Sequence, residues 1–172
     1  AYPDVLRLSP RYAGKVHLVG NPVREDVLAL RDAPYPPLLV DGIFRVLVTG
    51  GSQGATILSD IVPDGLARLP LNLRSRLQVT QQCRAEDIEM VRQAYAAHDI
   101  PAELAAYLPD TPERLGWAHM VIGRAGASTV AELTCAGRPA ILVPLPSATY
   151  DHQSYNVKEM VAAGGARAIA QP

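Results

Sequence analysis

The sequence predicts an α/β protein built on a doubly wound parallel sheet, of the Rossmann-like kind. Short apolar segments such as "FRVLVTG", which starts at Phe44, alternate repeatedly with segments of helical spacing. Continuous apolar segments of this length are typical of strands that are buried on both faces. Alternation of such strands with helices favours parallel pairing through right-handed crossovers. Ligands of these sheets bind beyond the carboxyl ends of the strands, which here are the loops after Val48, Ile122 and Val143.

The first half of the regular pattern contains three predicted strands. After the strand at Phe44, "GATILSDIVPDGLARL" has helical spacing, and we expect Pro63 to divide or end that helix. "RLQVTQQC" is predicted as the second strand and "AEDIEMVRQAYAAHD" as the next helix. "AELAAYL" is predicted as the third strand. "DTPERLGWA" then starts a short helix with Asp110 or Thr111 as its cap.

The second half continues the alternation to the end of the chain. "HMVIG" and "PAILVP" are predicted strands, and the helix "STVAELTCAG" between them ends at Gly137. "DHQSYNVKEMVAAGG" is predicted as a helix and "ARAIA" as the last strand. Before this pattern, Val16 to Val19 is predicted as a strand. The prolines between Pro34 and Pro37 predict a linker or surface loop.

Composition excludes several classes of function. The 172 residues carry a formal net charge of −1 and are 48% hydrophobic, which is ordinary for a soluble globular domain. The composition therefore does not indicate a protein that binds nucleic acid electrostatically, although it is compatible with a local basic pocket. Cys83 and Cys135 lack the spacing of metal ligands or of a disulfide framework, and a reducing cytoplasm fits. No apolar run approaches the ~20 residues of a membrane helix.

The loop "VTGGSQGA" is the first candidate ligand site. It follows a strand and opens a helix, where free backbone N–H groups and the helix dipole favour an anion. Gly50, Gly51 and Gly54 allow close approach of the backbone, and Ser52 and Gln53 can donate to phosphate oxygens. The loop has neither P-loop nor dinucleotide-fold spacing. A tight turn without a ligand is an equally good interpretation of this loop by itself.

The loop "GRAGAST" repeats the same arrangement later in the chain. Gly126 and Ala127 are small enough to admit a ligand against the backbone, and Ser128 or Thr129 can cap the following helix. Glu132 can accept two hydrogen bonds, which suits a ribose diol, although a lone surface Glu that complements the helix dipole is the simpler interpretation. Two glycine-rich loops in one sheet together indicate a nucleotide diphosphate across the strand ends.

A third loop, "PLPSATYDHQSYN", brings polar side chains to another strand end. Asp151, His152, Gln153 and Asn156 suit recognition of sugar hydroxyls, while Asp151 alone can also be a helix cap. His152 is not a convincing catalytic base, because no carboxylate is placed to orient it. His119, at the start of a strand, is expected to be structural, as is Cys135 within its helix.

Five motifs in series carry a resemblance to a known family. In order and spacing, "GNPVR", "VTGGSQGA", "GRAGASTVAEL", "GRPAILVPLP" and "DHQxxN" resemble the C-terminal half of the MurG family of bacterial N-acetylglucosaminyltransferases. The resemblance extends from Gly20 to the end of the chain. It implies a two-domain GT-B glycosyltransferase that converts lipid I to lipid II in peptidoglycan synthesis. The N-terminal domain of such an enzyme receives the lipid, and the C-terminal domain holds UDP-N-acetylglucosamine.

The resemblance also implies roles for individual residues. The carboxylate of Glu132 is expected to hold the ribose hydroxyls, and the backbone around Leu108 to pair with the uracil edge. Arg24 is expected at the diphosphate. The full set of implied or predicted donor-binding residues is Arg24, Gly51, Ser52, Gln53, Leu108, Gly126, Ala127, Ser128, Thr129, Glu132, His152 and Gln153. His152 is a departure, because some members of the family have glutamine there.

The implied reaction is an inverting, metal-independent transfer. The C4 hydroxyl of the muramoyl sugar of lipid I displaces UDP, and no cofactor or metal is expected; no Asp-x-Asp motif is evident. The family's N-terminal glycine-rich loops, with its proposed catalytic histidine, have no counterpart here, so the catalytic residues are unknown in this chain. The implied partners are UDP-N-acetylglucosamine, lipid I and the cytoplasmic face of the inner membrane, with peripheral attachment. Nucleic acid is not an expected partner.

The same resemblance predicts how the chain is organised. Residues 1–22 are expected to end the acceptor domain, 23–43 to form the interdomain linker, and 44–172 to form a truncated UDP-sugar-binding domain. We expect such a fragment not to be a competent transferase by itself. Two alternatives stay open: another UDP-sugar enzyme of GT-B architecture, and a donor-binding module without activity. A 2-epimerase is disfavoured, because its acidic catalytic residues are not recognisable.

Overall fold

The predicted doubly wound α/β fold is confirmed by the computed structural model, which describes residues 9–17, 19–51, 55–146 and 152–171. Six strands form one parallel sheet in the order β3-β2-β1-β4-β5-β6. The strands are β1 (Phe44–Thr49), β2 (Leu77–Gln82), β3 (Ala102–Ala105), β4 (Met120–Gly123), β5 (Ala140–Leu142) and β6 (Ala166–Ala168).

Seven α-helices accompany the strands in the described residues. They are α1 (Glu25–Leu28), α2 (Thr56–Ala67), α3 (Leu71–Arg74), α4 (Ile88–Ala96), α5 (Thr111–Trp117), α6 (Ala127–Ala136) and α7 (His152–Ala162). Two 3₁₀ helices, Pro10–Lys15 and Ala85–Asp87, precede α1 and α4. Within the described residues, none of the helices combines the length and the apolar character that crossing a bilayer requires.

The sheet separates two hydrophobic cores. Val46 and Val48 pack with α2 and α4 on one face, while Leu47 packs with α1, α5, α6 and α7 on the other. All three side chains are at most 1% exposed. This burial on both faces explains why β1 is apolar without alternation, since successive strand residues point to opposite sides.

The chain reverses its winding direction between β1 and β4. These strands are neighbours, and Thr49 pairs with Gly123 at their carboxyl ends. A Cβ atom on Gly123 would lie 2.8 Å from the carbonyl oxygen of Thr49, so only glycine allows this approach. The loops after the two strands then diverge to opposite faces, which opens a crevice where α/β sheets bind ligands.

Two predictions about the elements are wrong. Val16 and Val19 lie outside any strand, and Val19 is 89% exposed. An apolar segment becomes a strand only when another strand pairs with it, and no described residue does so here. Pro63 does not divide α2, which continues from Thr56 to Ala67. The proline costs one backbone hydrogen bond, but its ring is buried in the core beside Val62, which offsets the loss.

The predicted helix ends are correct in one case and wrong in another. Gly137 ends α6 in the left-handed conformation, with φ of 62°. Ser128 and Thr129 do not cap this helix, because it already begins at Ala127 and Gly126 is the capping position. Asp110 occupies the N-cap position of α5 without a side-chain cap bond. Its carboxylate instead accepts from an arginine, as described below.

His119 is structural, as its position at the start of a strand indicated. It is 1% exposed and directly precedes β4, at the amino ends of the strands and away from the crevice. Its Nδ1 accepts from the backbone N–H of Arg45 at 2.9 Å, and its Nε2 lies 3.3 Å from the carbonyl oxygen of Pro37. The Tyr35 hydroxyl donates to the His119 carbonyl at 2.6 Å. The proline-rich segment is therefore fastened to the sheet.

Candidate functional site

Two adjoining cavities lie at the carboxyl ends of the strands, on either side of the reversal between β1 and β4. The smaller has a volume of about 350 Å³ and the larger about 770 Å³. Gly51 and Thr129 line both, so the cavities are neighbours. This is the position that the fold class predicted for a ligand.

The smaller cavity lies between the β3–α5 loop and α6. Its walls include Leu108 from that loop, Glu132 from α6, and Arg24 from the segment before α1. The Leu108 side chain is 6% exposed and belongs to the core. The Thr111 hydroxyl donates to the Leu108 carbonyl at 2.9 Å, which fixes the orientation of that peptide group.

Arg24 and Glu132 form an ion pair at this cavity. Arg24 Nε lies 3.1 Å from Glu132 Oε1, and the two side chains are 52% and 20% exposed. The sequence motifs indicated separate roles for Arg24 and Glu132 and did not indicate their contact. Because a surface pair of this kind is weak, its exchange for ligand contacts costs little free energy.

The larger cavity is bordered by both glycine-rich loops. Gly126, Ala127 and Ser128 line it where α6 begins, together with Gly51 on the other side. The N-terminus of α6 presents backbone N–H groups here, which favours an anion. Ser52 and Gln53, predicted to donate to phosphate oxygens, lie outside the described residues.

Two arginines at the larger cavity were not predicted from the sequence. Arg84 and Arg124 both contribute to its lining. Arg124 donates through Nη1 to the carbonyl oxygens of Val143 at 3.1 Å and Pro144 at 3.3 Å. Partial burial lowers the pKa of this guanidinium, which stays a cation at neutral pH. Arg124 stands inside the quoted "GRAGAST" motif, so its position in a strand-end loop was the available signal.

The polar residues predicted to lie together after β5 occupy different environments in the structure. Gln153 lines the larger cavity, and its Oε1 accepts from the Leu145 N–H at 3.0 Å. Asn156 is buried and donates to the Ala125 carbonyl at 3.0 Å, so it holds α7 against the β4–α6 loop. His152 is the exposed first residue of α7 and lines neither cavity. Asp151 lies outside the described residues.

A buried glutamine connects the walls of the smaller cavity and was also missed. Gln82 is 9% exposed at the end of β2 and lines this cavity. Its Oε1 accepts from the Thr49 hydroxyl at 3.0 Å, and its Nε2 donates to the Ala106 carbonyl at 3.4 Å. The Gly51 N–H in turn donates to Thr49 Oγ1 at 3.3 Å. A polar residue ending a buried strand was the signal that could have found it.

The two cavities together offer distinct chemical environments. The smaller is bordered by the loop residues 107–109 and by a carboxylate, and peptide groups and a carboxylate suit a planar base and a diol. The larger has guanidinium groups and a helix N-terminus, which suit an anion. Within the described part of the chain, no three His, Cys, Asp or Glu side chains are grouped as they would be around a metal ion.

Comparison with known proteins identifies the family. The family model described as "Glycosyltransferase family 28 C-terminal domain" matches residues 45–172. The chain belongs to glycosyltransferase family 28. Apart from Phe44, the first residue of β1, the family 28 match covers all six strands; it also covers the strand-end loops that border both cavities, but not Arg24.

Curated relatives of this family 28 chain have a common name. A protein of Novosphingobium aromaticivorans is 68% identical over 171 residues, and one of Erythrobacter litoralis is 66% identical over 171 residues. Both are named UDP-N-acetylglucosamine--N-acetylmuramyl-(pentapeptide) pyrophosphoryl-undecaprenol N-acetylglucosamine transferase. The matches cover 99% of this chain but only 44% and 43% of those proteins. The chain therefore spans less than half the length of the relatives it matches.

Two solved structures have a similar fold. The crystal structure of Acinetobacter baumannii MurG matches with a TM-score of 0.69 and 29% identity, covering 84% of this chain and 39% of that one. WaaG, a glycosyltransferase involved in lipopolysaccharide biosynthesis, matches with a TM-score of 0.55 and 16% identity, covering 88% of this chain and 39% of that one. The second likeness concerns the fold alone.

Proposed function

We propose that this chain is the donor-binding half of an inverting glycosyltransferase. The enzyme would transfer N-acetylglucosamine from UDP-N-acetylglucosamine to the C4 hydroxyl of the muramoyl sugar of lipid I, which gives lipid II. The observation that carries the proposal is the pair of adjoining cavities at the strand ends, one with a carboxylate and one with arginines. The names of relatives at 66% and 68% identity support the choice of donor and acceptor.

Uridine is assigned to the smaller cavity. The peptide groups at Leu108 pair with the uracil edge, and Glu132 accepts hydrogen bonds from the ribose hydroxyls. Binding replaces the Arg24–Glu132 contact at 3.1 Å, which releases the Arg24 guanidinium for the diphosphate. The same two side chains that pair in the structure thus receive adjacent parts of one nucleotide.

The diphosphate and the sugar are assigned to the larger cavity. Gly51 from one loop, and Gly126, Ala127, Ser128 and Thr129 from the other, surround the phosphates with backbone and hydroxyl donors. Ser52 and Gln53 are assigned to the same phosphates on the resemblance alone. Gln153 and His152 are assigned to the N-acetylglucosamine hydroxyls. Support for Gln153 comes from its position in the cavity lining, whereas His152 rests on the resemblance.

The chemical step is a displacement at the anomeric carbon. The acceptor hydroxyl forms the new bond to this carbon as the bond to UDP breaks, and the leaving diphosphate takes up negative charge. Arg24, helix N-termini and backbone N–H groups stabilise this charge without a metal. Loss of one such preorganised donor lowers the rate on the order of 10²-fold. The general base that removes the hydroxyl proton belongs to the other half of the enzyme.

The organisation of the whole enzyme follows from this assignment. Residues 1–22 complete an acceptor domain, 23–43 link the two domains, and 44–172 hold the donor. Lipid I and the cytoplasmic face of the inner membrane are then partners of the longer protein, in peptidoglycan synthesis.

The proposal is tested by calorimetric titration of the chain with UDP-N-acetylglucosamine, UDP-glucose and GDP. We expect selective binding of UDP-N-acetylglucosamine that weakens in Glu132→Ala. Glu89→Ala is the matched control, because Glu89 is an exposed partner of Arg92 on α4. A folded chain that binds none of the three selectively, or equal binding by the chain and Glu132→Ala, contradicts the assignment.

A binding module without activity of its own is the second candidate for this chain alone. It is favoured because the chain covers less than half the length of its relatives. We expect the chain to bind donor without converting lipid I. Formation of lipid II by the chain alone would contradict this expectation.

A further inference from the structure

The β3–α5 loop, residues 106–110, forms one wall of the smaller cavity. Tyr107, Leu108 and Pro109 all contribute to this wall. The Leu108 side chain points into the core, while Tyr107 is 74% exposed. Beside the exposed Tyr107 side chain, the loop offers a ligand its peptide groups, whose positions depend on how the loop is held.

Arg114, on α5, fastens the end of this loop to the sheet. Its Nη2 donates to Glu103 Oε1 at 2.6 Å and its Nη1 donates to Glu103 Oε2, so the pair is bidentate. Its Nε donates to Asp110 Oδ2 at 2.8 Å, and Nη1 also reaches Thr80 Oγ1 at 3.2 Å. One guanidinium thus joins the loop end, β3 and β2, which lysine cannot reproduce.

This attachment extends to the Leu108 peptide through the first turn of α5. The Thr111 hydroxyl donates to the Leu108 carbonyl at 2.9 Å, and the Arg114 N–H donates to the Asp110 carbonyl at 3.0 Å. At the other end of the loop, Gln82 Nε2 donates to the Ala106 carbonyl at 3.4 Å. Both ends of the cavity wall are therefore held by side chains of the domain itself.

We propose that Arg114 is a positioning residue that determines selectivity for uracil over cytosine. It does not line the cavity and acts by fixing the Leu108 peptide groups. Uracil presents an N–H donor and a carbonyl where cytosine presents an acceptor and an amino group. A fixed backbone pattern penalises the wrong base with unpaired groups, whereas a mobile loop can adjust to either. The inference rests on the proposed function, which assigns uracil to this loop.

The test is calorimetric titration of the chain with UDP and with CDP. These nucleotides share the ribose and the diphosphate, so the ratio of their dissociation constants reports on the base alone. We expect the parent chain to prefer UDP. In Arg114→Gln the preference is expected to fall about tenfold, the effect of losing one well-placed hydrogen bond, mainly through weaker UDP binding. Arg114→Lys should show a similar fall.

Arg92→Gln is the control, because Arg92 pairs with Glu89 on the exposed face of α4. It should keep the ratio of the parent chain. A folded Arg114→Gln that also keeps this ratio overturns the inference and leaves donor binding intact. A parent chain that binds neither nucleotide, or binds both equally, contradicts the uridine assignment itself and the inference with it.

Thr111→Val provides an independent variant if Arg114→Gln does not fold. It preserves side-chain shape and removes the hydroxyl that donates to the Leu108 carbonyl. We expect the same loss of UDP preference, at a melting temperature close to that of the parent. An unchanged preference in this variant overturns the inference.

Discussion

Arg24 and Glu132 lie 108 positions apart in the chain, yet Arg24 Nε is 3.1 Å from Glu132 Oε1 at the edge of the smaller cavity. Each is assigned to a different part of the donor, the diphosphate and the ribose. In the proposed enzyme, this ion pair holds both side chains, before the donor binds, near the positions at which they would contact it. The ligand then replaces one set of hydrogen bonds with another.

Arg24→Ala should weaken UDP-N-acetylglucosamine binding by about tenfold, since a charge-assisted hydrogen bond to the diphosphate is lost. Uridine, which lacks the diphosphate, should be affected much less. Both affinities are measured by calorimetry. Arg31→Ala is the control, because Arg31 is an exposed arginine of the same segment that pairs with Asp32. An equal loss of affinity for UDP-N-acetylglucosamine and for uridine would contradict the assignment of Arg24 to the diphosphate.

Gly123→Ala should destabilise the fold by about 1–3 kcal/mol, because its Cβ would lie 2.8 Å from the Thr49 carbonyl. Chemical denaturation measures the change in the free energy of unfolding. Gly65→Ala is the matched control: it lies within α2, its Cβ would meet nothing within 4 Å, and it should stabilise by about 0.5–1 kcal/mol. A neutral Gly123→Ala would mean that β1 and β4 separate at little cost.

Stability should fall as the pH drops below about 6.5, through His119. Burial lowers the pKa of His119 from its ordinary value of 6.5. As the pH falls, this imidazole is therefore protonated in the unfolded chain before it is protonated in the folded chain. The stability that neutral His119 contributes is fully present above the ordinary pKa. It is lost as the pH falls from there through the folded-state pKa. Unfolding free energies at several pH values, compared with those of His119→Gln, isolate this effect. Parallel curves for the two proteins would contradict it.

Tyr95→Phe should cost about 1–2 kcal/mol of stability. The Tyr95 hydroxyl donates to Gln81 Oε1 at 2.6 Å in a buried pair, and Gln81 Nε2 already has no partner there. Burial also raises the pKa of this hydroxyl, so it stays a donor throughout the neutral range. Tyr107→Phe, at an exposed position, should leave the unfolding free energy unchanged. Similar stabilities for both variants would argue against the buried bond.

The strands were predictable from the sequence because burial on both faces demands continuous apolar residues, as at Val46 to Val48. Gly137 was predictable because its φ of 62° favours glycine. The predictions that Pro63 divides α2 and that Val16 to Val19 form a strand were wrong for the opposite reason. Their conformation depends on partners elsewhere in the chain, which local propensity does not record.

The candidate site likewise has features that the sequence predicts and features that it does not. Loop composition indicated where Gly51, Gly126 and Thr129 would lie, because parallel strands bring their carboxyl ends to one edge. The pairing of Arg24 with Glu132 and the bridge from Gln82 to Ala106 require residues distant in sequence to meet. Such contacts depend on the packing of the whole fold, and the spacing of residues along the sequence does not indicate them.

Val27, three residues after Arg24, is fully buried beneath α6, and Cys135 Sγ lies 3.7 Å from its carbonyl oxygen. The short helix α1, which begins directly after Arg24, thus packs into the same core as the sheet and α6. In the proposed two-domain enzyme, this first part of the link between the domains, residues 23–43, would therefore move together with the donor domain. The guanidinium of Arg24 would then keep its place at the smaller cavity through every opening and closing movement.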